Sequence, residues 1–153
     1  MSNKPFSKAL YNETNHVGIN TSMSLLNQLG YKTIDTKEAY SDRDYIVSKK
    51  GKALKIEAEL SRAWRSDSFT WQHLSVPYRK HRSGADIFIM SNHSNTACMV
   101  GLMSDVKASR IDKKYISMSN MTEDFFFCDP AIFDLYVLEE GEWIVKRAGK
   151  MIL

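Results

Sequence analysis

The chain has 153 residues, 43% hydrophobic and 25% charged, with a formal net charge of +3. That suffices for one domain (1–153) with a true core and excludes an intrinsically disordered chain. No apolar run approaches the ~20 residues of a membrane span and no leader-like stretch follows Met1, so no membrane partner and a cytoplasmic location are expected.

Apolar or small residues at Val17, Ile19, Met23, Leu26 and Leu29 recur near helical spacing, and Gly30 suits the position just past a helix end. A helix is therefore predicted within Ser7–Leu29, starting either near its beginning or near Asn15. Tyr31–Ile34 reads as a short edge strand, and residues 35–43 as a loop. Two alternating runs follow, Asp44-Tyr45-Ile46-Val47-Ser48 and Ala53-Leu54-Lys55-Ile56-Glu57-Ala58-Glu59-Leu60, joined by Lys49-Lys50-Gly51-Lys52. This is the pattern of a β-hairpin. With Lys50 and Gly51 at its tip, Asp44 falls opposite Glu57, and Glu59 shares their face.

Ser61–Phe69 suits a connection or short helix, and Gln72–Val76 a strand bounded by Pro77. Ala85–Ser91 and Thr96–Met103 flank the turn Asn92–Asn95 as a second hairpin. Its arms are too continuously apolar to be half-exposed and belong inside a sheet. Val106–Ile116 fits helix or strand equally well. Thr122–Val137 is expected to form peripheral elements, Glu139–Glu142 a turn, and Trp143–Val145 a final short strand. Cys98 and Cys128 lie in apolar runs and are expected as reduced core thiols.

Charge is unevenly placed. Between Arg43 and Arg82 there are ten basic residues and four acids, whereas Asn120–Trp143 carries seven acids and no Lys or Arg. A basic middle surrounding Asp44, Glu57 and Glu59 suits a polyanion brought to a metal site. Three carboxylates on one sheet face repel at cross-strand distance and need a counter-charge, for which a divalent cation is the expected source. The plainer reading makes Glu57 and Glu59 the solvated face of an amphipathic strand. Val76-Pro77-Tyr78-Arg79-Lys80-His81-Arg82 forms a second basic cluster, in which Arg79, Lys80 and Arg82 are candidates for phosphate contact, with Gln72 nearby in sequence. Trp64 and Trp71 suit either base stacking or the core. No zinc spacing, phosphate-binding glycine loop or Ser-His-Asp pattern is present.

The order helix, loop, strand with Asp44, strand with Ile56-Glu57-Ala58-Glu59, then a basic strand end resembles the PD-(D/E)xK nuclease superfamily over roughly residues 15–102. Two positions depart from that pattern. Arg43, not proline, precedes Asp44, and Glu59 stands where the motif ends in lysine. The resemblance implies an α/β, restriction-endonuclease-like fold, a mixed central sheet flanked by helices. It further implies an endodeoxyribonuclease using Mg²⁺, with Mn²⁺ as substitute. Asp44 and Glu57 would hold the ion with the Ala58 carbonyl, and Asp44, Glu57 and Glu59 would form the catalytic set. Glu59 would then orient or deprotonate the attacking water, and Glu38 is a candidate additional acid. The rival readings are a catalytically inactive nuclease-fold protein that binds DNA or a protein, and an accessory protein without metal. Double-strand cleavage would call for a homodimer.

Overall fold

The computed structural model describes residues 8–36 and 43–153, with side chains over 17–34 and 43–153. Helix α1 (Lys8–Gln28) leads into β1 (Lys32–Thr36), β2 (Tyr45–Lys49) and β3 (Lys52–Leu60). Strand β4 (Leu74–Pro77) runs into a basic 3-10 helix, Tyr78–Arg82. Then come β5 (Ile87–Ser91), β6 (Ala97–Leu102), the short α2 (Met103–Lys107), β7 (Arg110–Ile116) and β8 (Met121–Cys128). A 3-10 turn, Pro130–Ile132, precedes β9 (Asp134–Glu139) and β10 (Glu142–Arg147).

Seven strands form one sheet, ordered β1-β2-β3-β5-β6-β9-β10, and three form another, ordered β4-β8-β7. The β3–β5 pair is parallel and all other pairs are antiparallel. The chain is thus mixed α/β with a mostly antiparallel central sheet. No helix among the described residues is long and apolar enough to cross a membrane.

The first hairpin has the predicted register: Tyr45 faces Ile56 and Lys49 faces Lys52. Lys50 and Gly51 both take positive φ, 50° and 78°, in a two-residue turn whose twist matches that of the flanking strands. The large sheet separates two apolar layers. On one side Ile56, Ala58, Ile87, Ile89, Cys98 and Val100 pack against Leu25 and Leu26 of α1. On the other, Phe88, Met90, Ala97 and Met99 meet Leu74, Val76, Phe126 and Cys128 of the small sheet. Burial on both faces explains the unbroken apolar runs of β5 and β6. Gly18 lets α1 rest on β3, since a Cβ there would lie 3.1 Å from the Leu60 amide nitrogen. The helix thereby supports the strand that carries Glu57 and Glu59.

Three expectations change. The expected helical cover is reduced on the second face, where the small sheet packs with only the short α2 alongside. Val106–Ile116 resolves into the end of α2 followed by β7. The stretch expected to be peripheral contains β9, an interior strand between β6 and β10. Asp134 disguises it in the sequence, because a carboxylate reads as surface. Here that carboxylate is fully buried and accepts N–H bonds from Gly149, Met151 and Ile152 at 2.6–2.9 Å. Cys98 and Cys128 are free and buried, as expected.

Candidate active site

Strand β3 alternates, so Ile56 and Ala58 face α1 while Glu57 and Glu59 face the layer that holds the small sheet. The parallel pairing sets Glu57 beside Phe88 and Glu59 beside Met90. Asp44 sits one step beyond the last β2–β3 pair, and its amide donates to the Ile56 carbonyl at 2.8 Å. Its carboxyl turns over the ribbon, where Oδ2 accepts the Ala58 N–H at 2.8 Å. Asp44 is 4% exposed and Glu57 8%. The solvated-face reading therefore fails for Glu57, while Glu59 is half-buried.

The basic 3-10 helix closes over these acids. Pro77 ends β4, and the turn that follows brings Lys80 inward while Arg79, His81 and Arg82 remain exposed. Lys80 Nζ lies 2.8 Å from Glu57 Oε2 and 3.5 Å from Glu59 Oε1. Arg79 reaches Glu59 more loosely, at 4.0 Å. Ser83, next in the chain after the helix, donates from Oγ to Glu57 Oε1 at 3.2 Å and accepts the Ala85 N–H.

Burial is the main force raising the Asp44 pKa, to about 7, helped by the Glu57 charge and a hydrogen bond between the two carboxyl groups. The Ala58 N–H and the Lys80 ammonium only partly offset that rise. For Lys80, burial pulls the pKa down, but Glu59, Glu57 and Asp44 together outweigh it and raise the value above the ordinary lysine range. The group is therefore an ammonium at neutral pH. The structure pairs a reluctant acid with a firmly charged base.

Of the residues singled out in the sequence, Asp44, Glu57, Glu59, Lys80 and Arg79 come together. Arg82 lies at the exposed end of the same 3-10 helix. Gln72 is exposed and precedes β4, at the opposite end of that strand from Lys80, so it is not part of this cluster. Glu38 lies outside the described residues. Trp64 is core, 3% exposed, with its indole N–H bonded to the Ser68 carbonyl, whereas Trp71 is 45% exposed. Sequence reasoning missed Ser83, whose only signal is its place directly after the basic run.

Lys80 brings a positive charge to Glu57 and Glu59. Among the described residues no group of three or more His, Cys, Asp or Glu side chains is arranged to hold a metal ion. What remains is a two-carboxylate donor set, Asp44 and Glu57, with the Ala58 main chain between them and a lysine alongside. The chain matches no protein-family model, no curated protein and no solved structure.

Proposed function

We propose that this chain is a Mg²⁺-dependent endonuclease that hydrolyses DNA phosphodiester bonds through a PD-(D/E)xK-type site on a restriction-endonuclease-like sheet. One observation carries the reading: Asp44 and Glu57 are buried together while Lys80 enters from a separate element to reach both glutamates. The motif lysine that Glu59 displaces along the chain has a counterpart in space. Two carboxylates and a carbonyl fit Mg²⁺, which takes oxygen ligands and keeps several waters. A carboxyl whose pKa burial and a neighbouring acid raise to about 7 is a group that a cation would ionise.

Asp44 and Glu57 would hold the ion with the Ala58 carbonyl, and Mn²⁺ would substitute. Bound there, the metal supplies charge to activate water and to offset the phosphate. Glu59, less buried than Glu57, accepts the proton of the attacking water. The Lys80 ammonium orients that water and donates to a phosphate oxygen as charge accumulates. Arg79, at the rim of the cluster, and Arg82, outside it, track neighbouring phosphates, a contact that weakens steeply with salt.

A second reading, a catalytically silent relative that binds DNA or a protein, is favoured by the same ion pair, since Lys80 already balances Glu57. Supercoiled plasmid distinguishes the two. The nuclease nicks it with millimolar Mg²⁺ or Mn²⁺ and not with EDTA, and Glu57→Ala reduces nicking to background while circular dichroism stays unchanged. Plasmid left intact with either metal, together with binding that EDTA does not alter, would support the silent relative.

A further inference from the structure

A sheet edge presents a row of unpaired N–H and C=O groups, and proteins usually blunt it. The two sheets have four edges, and three of them are blunted. At β10 the Gln28 amide donates to the Trp143 carbonyl at 2.9 Å and accepts its N–H at 2.6 Å, standing in for a neighbouring strand. At β1 the register slips between Thr33 and Asp35. Strand β4 has only four residues and ends in Pro77, which has no N–H to offer. The β7 edge differs. It runs seven residues in unbroken register with β8, from Arg110–Phe127 to Ile116–Met121. Its hairpin also holds four of the nine exposed large apolar side chains among the described residues: Ile111, Tyr115, Met118 and Met121.

We infer that β7 pairs antiparallel with β7 of a second copy about a twofold axis at Lys113, joining two three-stranded sheets into one. The inference stands apart from the nuclease reading. In such a pair the axis is perpendicular to the sheet, so directly opposed residues share a face and one residue meets its own counterpart. Three central registers are available. Centring on Asp112 opposes Asp to Asp and Arg110 to Lys114. Centring on Lys114 opposes Lys to Lys, with Asp112 against Ile116. Centring on Lys113 opposes Asp112 to Lys114 twice and Ile111 to Tyr115 twice. Only this last register sets unlike charges and apolar partners against each other on both sides of its axis.

Lys113 meets its counterpart at the axis, but each copy's Nζ already lies 3.2 Å from its own Asp124. Asp112 in the monomer holds the Lys113 N–H at 2.8 Å and Arg110 at 2.7 Å, with its side chain 54% exposed. Pairing gives that N–H the partner's Lys113 carbonyl and frees Asp112 for the partner's Lys114. Edge charges normally discourage association. Here their order discourages the neighbouring registers and admits one. Two seven-residue strands bury less than the ~1,200–2,000 Å² of a standard interface, so the dimer belongs to the micromolar class.

Sedimentation equilibrium of the full chain, from low micromolar to several hundred micromolar, should show a monomer–dimer equilibrium. Asp112→Lys and Lys114→Asp should each weaken self-association at least tenfold. Mixed in equal amounts, the two variants should form a heterodimer, because each opposed pair is then Lys against Asp. That outcome also shows that both variants are folded. Lys113→Cys should crosslink to itself on mild oxidation, since opposed Cα atoms at ~4.5–5.5 Å suit a disulfide, whereas Tyr115→Cys should not. A wild type that stays monomeric throughout, charge variants that associate like wild type, or equal crosslinking at 113 and 115 would each overturn the assignment.

Discussion

Two aspartates are buried on opposite sides of the question of function. Asp134, at the start of β9, is surrounded by donors: three main-chain N–H groups from residues 149–152 point at its carboxylate. Asp44 accepts a main-chain N–H from Ala58 and lies beside a second acid, Glu57. A buried charge is tolerable when hydrogen bonds replace its lost hydration, and costly when they do not. Asp134 meets that condition and ties the closing segment to the sheet. At Asp44 burial and the Glu57 charge prevail, and they raise the carboxyl pKa to about 7. Three main-chain donors make Asp134 an anchor, whereas the acid beside Asp44 sets up the charge that the proposed cation would offset.

The largest effect that could break this contrast comes from Asp134→Ala. It strands three N–H groups at once, and at ~1–3 kcal/mol for each unsatisfied group the loss should be about 4 kcal/mol in urea unfolding. Amide exchange at Gly149, Met151 and Ile152 should accelerate together. A loss below about 1 kcal/mol would mean that those bonds are not what holds β9 and the closing segment. Lys80→Met tests the other side. With Lys80 and Glu57 both largely buried, removing the ammonium takes the close counter-charge from Glu57 and leaves Glu59 only the looser Arg79 contact, at a cost of about 3 kcal/mol. Saturating Mg²⁺ should then stabilise this variant more than it does wild type. Equal thermal shifts for the two proteins would argue that no cation enters where the lysine was.

Much of the site was legible in the sequence because strand chemistry is local. The Lys50-Gly51 turn fixes the hairpin register, and register alone brings Asp44 beside Glu57 and sends Glu59 to the same face. The parallel approach of β5 and the burial of Glu57 depend on contacts with residues some thirty positions away, which periodicity does not encode. Lys80 was legible as a cation after a strand but not as the partner of Glu57, because a 3-10 turn decides which of four consecutive basic or histidine side chains points inward. Strand β9 was hidden for the opposite reason. Its Asp134 follows the rule for surfaces in composition and breaks it in space, since its hydrogen-bond donors arrive from the end of the chain.

Asp44→Asn gives the smallest effect on stability and the one most specific to the contrast. The Asp44 pKa is about 7 folded against an ordinary value of 3.8, so between those pH values the folded protein keeps a proton that the unfolded chain has released. Stability contributed by this group is therefore fully present below about pH 4, falls as pH rises toward 7, and is lost above it. Asparagine mimics the protonated acid: its carbonyl can still accept the Ala58 N–H, and its amide can donate to Glu57 where the shared proton lay. The variant should match wild type near pH 4 and exceed it by about 2 kcal/mol at pH 8, a difference read directly by paired urea titrations. Added Mg²⁺ should narrow the gap at pH 8 by stabilising wild type, because the ion repays the carboxylate and finds no charge on asparagine. A gap that is constant from pH 4 to pH 8 would show that Asp44 is ionised throughout, and the rise attributed to burial beside Glu57 would have no place in the site.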